Sequence, residues 1–164
     1  MIRVMMVCLG NICRSPMAEF IFRDMAEKRG LGRYVSCASA ATSDEEIGNP
    51  VYPPARRMLA SLGLSCAGKR AVQLKKADYE QYDLLLGMEE RNLNAMRRIC
   101  GGDPEGKIHL LLRDSPRPRN IDDPWYTGDF DAACRDILEG CALWLDRIKK
   151  DALKSESIED KAQH

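Results

Sequence analysis

Histidine is scarce in this 164-residue chain: His109 and His164 are the only two. There is no Cys-x-x-Cys pair either, so a zinc centre of the usual cysteine and histidine kind lacks ligands. Net charge is also lacking, at a formal value of zero. No global field therefore draws nucleic acid or an anionic membrane, and neither is expected as a partner. No apolar run approaches the length of a membrane span. The opening residues show no basic segment, apolar core and cleavage site of a secretory leader. These absences lead to the expectation of a cytoplasmic protein with no metal and no cofactor. Any anion site must be local.

Cysteine is the residue type present in some excess. Its seven copies are odd in number and scattered, at Cys8, Cys13, Cys37, Cys66, Cys100, Cys134 and Cys141. A disulfide framework does not follow from such spacing, and most of these thiols are expected to be small core hydrophobes. Cys134 and Cys141 lie seven apart, on one face of the final helix. Apolar residues make up 45% of the chain and charged residues 30%, the balance of a globular domain.

Hydrophobic pattern and turn residues divide the chain into alternating strands and helices. Residues 2–7, 34–38, 82–87 and 107–112 read as short buried strands. Helices are expected over 17–29, 53–62, 75–80, 89–100 and 129–149. Ser15 and Pro16 mark a helix start, with serine a possible cap and proline suited to the first position. Phe130, Ala133, Cys134, Ile137, Cys141, Trp144 and Ile148 trace the apolar face of the last helix. The expected fold class is α/β: a single-domain open four-stranded parallel sheet with helices on both faces and a phosphate-binding loop after the first strand. The domain is expected over residues 1–150, with residues 151–164 a frayed or disordered tail. Ligands of such sheets bind beyond the carboxyl ends of the strands.

The loop at that place is Cys8-Leu9-Gly10-Asn11-Ile12-Cys13-Arg14-Ser15-Pro16. A chain that curls from a strand end into a helix turns successive N–H groups inward and adds the helix dipole, which makes a nest for an anion. Gly10 bends without a Cβ penalty, and Asn11 tolerates left-handed angles. Arg14 offers a planar fork for two phosphate oxygens. Helix N-termini and cations acidify thiols, so Cys8 is expected as a thiolate, with Ser15 able to donate a hydrogen bond to it. A thiolate in a phosphate cradle points to in-line attack on phosphorus. On spacing alone, a core cysteine near a surface arginine would serve as well.

The segment V-C-L-G-N-I-C-R-S-P-M-A-E resembles the signature of the low-molecular-weight protein tyrosine phosphatases. Asp122-Asp123-Pro124-Trp125-Tyr126 is similar to that family's acid loop. Asp78 to Leu93 resembles its third strand and following helix, so the likeness covers most of residues 2–149. The resemblance implies metal-independent hydrolysis of phosphotyrosine through a phosphocysteine, with tyrosine-phosphorylated proteins as substrates and a monomer or weak dimer. It implies Cys8 as nucleophile, Arg14 as phosphate binder and Asp123 as general acid. Leu9, Gly10, Asn11, Ile12, Cys13 and Ser15 would complete the cradle, and Ser39 would support Asn11.

Five aspartates lie in this region: Asp114, Asp122, Asp123, Asp129 and Asp131. Only Asp123 precedes a proline, which restricts its backbone to extended angles. Alone, Asp-Pro would read as an ordinary turn. Trp125 and Tyr126 form a candidate wall for a phenyl ring. Gly68 stands where many relatives carry a histidine, so the Ser39–Asn11 support is expected to close differently, by water for example. Glu45 stands where some relatives carry a tryptophan. Ile12 crowds a position that resembles threonine in the arginine phosphatase branch, which favours phosphotyrosine. Cys13 beside Cys8 suggests a reversible disulfide under peroxide. An arsenate reductase is the rival within this fold, and it would need a mobile cysteine pair such as Cys134 and Cys141. A phosphate-binding carrier without turnover would need neither Arg14 nor Asp123.

Overall fold

The computed structural model of the protein describes residues 1–163. Its four strands are β1 (Ile2–Cys8), β2 (Val35–Ala41), β3 (Leu84–Gly87) and β4 (Ile108–Leu110). They pair in the order β2-β1-β3-β4, all parallel. The helices are α1 (Arg14–Lys28), α2 (Pro53–Ser61), α3 (Asp78–Gln81), α4 (Glu90–Cys100), α5 (Pro124–Thr127) and α6 (Phe130–Ala162). The α/β sheet deduced from the alternation is the one observed.

β1 is the central strand, and its side chains divide between two cores. Val4, Met6 and Cys8 join the core under α1, α2 and α6, while Met5 and Val7 join the one under α3 and α4. This period of two, apolar on both faces, is what a strand buried between helical layers requires. The chain leaves β1 toward β2 on one side and later returns to β3 on the other. The crevice at that reversal lies at the carboxyl end of β1.

α6 closes the larger core. Trp144 is fully buried, and its indole Nε1 donates to the Leu111 carbonyl at 2.9 Å. Gly140 lets the helix approach closely, since a Cβ there would lie 3.0 Å from the Leu111 carbonyl oxygen. Cys134 and Cys141 sit in this core, and all seven cysteines are free thiols.

Several strand ends differ from expectation by one to three residues, α5 was not anticipated, and two helix boundaries differ for evident physical reasons. α6 continues past Lys149 to Ala162. Residues 151–162 have lost the apolar face, yet no glycine or proline stops them and their side chains are exposed. α1 begins at Arg14, and Ser15 is not its cap: Cys13 holds the cap position with no side-chain capping bond. The Ser15 hydroxyl is engaged elsewhere, at the cysteine. Among the described residues, no helix is long and apolar enough to cross a membrane.

Candidate active site

Cys8 ends β1, and the chain turns at once through Leu9 to Cys13 into α1. Asn11 takes φ +58°, the left-handed angle expected of it. Its backbone N–H points at the Cys8 sulfur, 3.3 Å away. The loop is fastened from outside: Thr42 N–H donates to the Cys8 carbonyl, Ser43 to Leu9 and Tyr52 to Ile12, at 2.8–3.0 Å.

A chain of side-chain hydrogen bonds links Ser15 to Asn11, Ser39 and Cys8. Val72 N–H donates to Asn11 Oδ1 at 3.1 Å, which orients the amide. Asn11 Nδ2 then donates to both Ser15 Oγ at 2.8 Å and Ser39 Oγ at 2.9 Å. Ser15 Oγ also lies 2.9 Å from Cys8 Sγ. As the serine oxygen already accepts from Asn11, its own hydroxyl proton can turn toward the sulfur.

Arg14 is buried to 1% exposure, a costly place for a cation without partners. Its Nη1 donates to the Ile121 carbonyl at 2.8 Å, and its Nη2 lies 3.3 Å from both Glu89 Oε1 and Asp123 Oδ2. The guanidinium is thereby preset on the edge of the cradle. Glu89 also stands at the N-cap of α4, so one residue aims the arginine and starts a helix. Asp123 caps α5 in the same manner, with Oδ1 accepting from Trp125 N–H at 3.1 Å.

These groups face a cavity of about 170 Å³. Cys8, Leu9, Gly10, Ile12, Cys13 and Arg14 form its floor, Asp123, Trp125 and Tyr126 one side, and Ser43, Glu45 and Glu46 the other. Of the residues anticipated for the cradle and the acid loop, Cys8, Leu9, Gly10, Ile12, Cys13, Arg14, Asp123, Trp125 and Tyr126 line this cavity. Ser39, Asn11 and Ser15 lie behind the floor. Trp125 is 50% exposed and Tyr126 77%, so both rings belong to the mouth and not to the core. The Trp125 ring packs on Tyr52, centroids 4.7 Å apart. Burial, with the charges of Cys8 and Asp123 adding to it, pushes the Cys13 thiol up to about 12, so it is protonated.

The Ser39–Asn11 support does close differently with glycine at position 68, and it does so through protein side chains. Glu19 accepts from Ser39 Oγ at 2.6 Å, and Lys69 Nζ donates to the Ser39 carbonyl at 3.0 Å. Glu19, Lys69, Glu89, Tyr52 and the Ile121 carbonyl are neighbours of the site to which no role was assigned from sequence. Two carried a local signal: Glu19 closes the signature segment, and Glu89, an acid just before a helix, read as a helix start.

The description "low molecular weight phosphotyrosine protein phosphatase" belongs to the family whose sequence model matches residues 3–154. The low molecular weight protein-tyrosine-phosphatase YfkJ of Bacillus subtilis is 39% identical over 154 residues, spanning 92% of this chain and 98% of that protein. The human low molecular weight phosphotyrosine protein phosphatase is 33% identical, spanning 88% and 94%. The crystal structure of YfkJ superposes with a TM-score of 0.87, covering 92% of this chain and 96% of that one. That of Vibrio vulnificus Wzb in complex with benzylphosphonate superposes at 0.78 with 27% identity, covering 89% and 98%. With fold, loop and family model in agreement over nearly its whole length, the chain belongs to the low molecular weight phosphotyrosine protein phosphatase family and is an enzyme of that type.

Proposed function

We propose that the protein hydrolyses phosphotyrosine in protein substrates, without a metal, through a phosphocysteine at Cys8. The observation that carries this reading is the convergence on one cavity of the Cys8 sulfur with its Ser15 donor, the Arg14 fork and the Asp123 carboxyl. The phosphate dianion seats on the loop N–H groups and Arg14, where it competes with Asp123 for Nη2. The Cys8 sulfur attacks phosphorus as the P–O ester bond breaks, and the proton of Asp123 passes to the leaving phenolate. Asp123, now a carboxylate, takes a proton from water as that water attacks phosphorus and the S–P bond breaks. Phosphate leaves, and Ser15 again stabilises the departing thiolate.

Trp125 and Tyr126, exposed at the mouth, suit an aryl group. Wzb, a relative, was crystallised with benzylphosphonate, which also carries a ring beside phosphorus. Ile12 fills the floor beside Cys13 and Ala71, in keeping with phosphotyrosine over phosphoarginine. Cys134 and Cys141 are packed in the core and cannot serve as a mobile reductase pair. Tyrosine-phosphorylated proteins are the partners in this reading, and the enzyme works as a monomer or weak dimer. Seven free thiols suit the reducing cytoplasm.

Redox sensitivity belongs to the same reading. Peroxide oxidises the Cys8 thiolate to a sulfenic acid, and the protonated Cys13 thiol then displaces water to form a disulfide.

The test compares phosphotyrosine, phosphoserine, phosphoarginine and arsenate in one assay with chelator present. Turnover of phosphotyrosine alone is expected. Loss of activity with chelator, or preference for another substrate, overturns the assignment.

A further inference from the structure

Behind the cradle lies a buried charge cluster that the chemistry above does not use. Glu19, on α1, is only 4% exposed. Its Oε1 takes the Ser39 proton at 2.6 Å and lies 3.6 Å from Lys69 Nζ, while Oε2 pairs with Arg23 at 2.8 Å. The Lys69 ammonium also donates to the Ser39 carbonyl at 3.0 Å. Lys69 comes from the irregular segment between α2 and α3, next to Gly68 in its left-handed turn at φ +84°. It thus grips Ser39 twice, once directly by its carbonyl and once through the carboxylate that holds its hydroxyl.

We propose that Lys69 is a positioning residue of the phosphatase reaction, whose ammonium holds Ser39 and Glu19 so that Ser39 keeps the Asn11 amide in place and Asn11 keeps the Ser15 hydroxyl beside the Cys8 sulfur. This role rests on the reading of Cys8 as nucleophile.

Ser39 has one hydroxyl proton. While Glu19 accepts it, the serine oxygen is free to accept from Asn11, and the amide is held on two sides. Without Lys69, Glu19 retains Arg23, whose side chain is half exposed, and is drawn toward solvent. The Ser39 hydroxyl then loses its fixed acceptor, and the loop loses one of its restraints. The charges that face Lys69 are Glu19, Arg23 and Cys8. Burial pushes its ammonium below the usual lysine range, while Glu19 and the cysteine charge oppose that shift. Lys69 and Cys8 therefore interact through space as well as through the chain of hydrogen bonds. An outer partner of this kind acts through orientation, and removing one at a catalytic centre is typically felt about tenfold or more.

The experiment uses Lys69→Met and Lys69→Arg in the full chain. It reads kcat and KM on p-nitrophenyl phosphate, the rate of Cys8 alkylation by iodoacetamide at neutral pH, and melting temperature. Lys69→Met is expected to lower kcat about tenfold and slow alkylation several-fold, with KM changed by less than about threefold. Lys69→Arg, which keeps the cation and its donors, is expected to restore kcat to within about threefold of the parent. Unchanged kcat and alkylation in Lys69→Met overturn the proposal, as does an arginine variant equally impaired at an unaltered melting temperature. Should Lys69→Met fail to fold, Glu19→Gln substitutes for it. That variant still accepts the Ser39 proton but no longer attracts Lys69, and parental kinetics in it refute the role. Cys8→Ser separates the two ideas. If Cys8→Ser still turns over, the phosphocysteine reading fails. If it is dead while Lys69→Met is normal, only the positioning role fails.

Discussion

The cradle and the acid loop are built in opposite ways. From Cys8 to Ser15 the chain is largely buried, and its key polar side chains have partners within the protein. From Asp122 to Asp129 most residues are exposed, and only Ile121 and Pro124 root the segment in the core. In the proposed reaction the cradle holds the same phosphate in every turnover, so preorganisation would serve it, whereas the acid loop meets the variable part of the substrate and must admit it. On that reading, one rigid half and one open half divide phosphate recognition from substrate choice.

Removing the proposed nucleophile should give the largest effect. Cys8→Ser should abolish turnover of p-nitrophenyl phosphate yet still bind phosphate or vanadate, as ligand titration would show; residual turnover by the pure variant would point to another nucleophile. Asp123→Asn comes next. It should lower kcat by about 10²–10⁴ on esters with poor leaving groups and much less on p-nitrophenyl phosphate, while phosphate inhibition persists. Equal losses on both substrates would remove Asp123 from the proton transfer. Arg14→Lys replaces the fork with a point charge and should cost about 10²–10³ in kcat/KM, here together with phosphate affinity. That loss of affinity, absent in Asp123→Asn, is what distinguishes the two halves.

Smaller effects test the open half and the frame. Trp125→Ala should raise KM for aryl phosphates by about 3–10-fold, given the modest strength of one exposed ring contact, and leave KM for alkyl phosphates alone. Asp114 and Arg147, paired through two bonds of 2.7 Å, tie the segment after β4 to α6. The Arg147 guanidinium holds the Asp114 carboxyl below its usual range. A carboxylate held low stabilises the fold above the range of the unfolded chain, and that contribution disappears as acid protonates the folded form. Arg147→Met should therefore cost about 0.2–1 kcal/mol near neutrality and nothing at strongly acid pH, read by melting temperature across the acid range.

Much of this was legible before the structure because it is local in sequence. The apolar density of β1 and β3, the glycine in the loop and the proline after Asp123 each constrain a few neighbouring residues. The supports were not legible, because they join distant segments. Glu89 and Arg14 lie 75 residues apart, and Asn11 and Val72 lie 61 apart. Ser15 shows how a local rule misleads: a serine before proline is a fair cap, but the nearby sulfur and amide claim its hydroxyl. At Gly68 the absence of a histidine pointed to a different support for Ser39, and the next residue, Lys69, supplies it by reaching the Ser39 carbonyl.

The bond from Arg14 to the Ile121 carbonyl spans 107 residues. The proposed phosphate site is thus closed by a contact of long sequence separation, and non-local closure of that kind is slow in folding. A partly folded chain with β1, α1 and β2 in place has a cradle whose arginine is still untethered. During refolding, catalytic competence should appear only with the docking of the C-terminal third, after most secondary structure has formed. Enzyme activity is then a clock for the last step of folding.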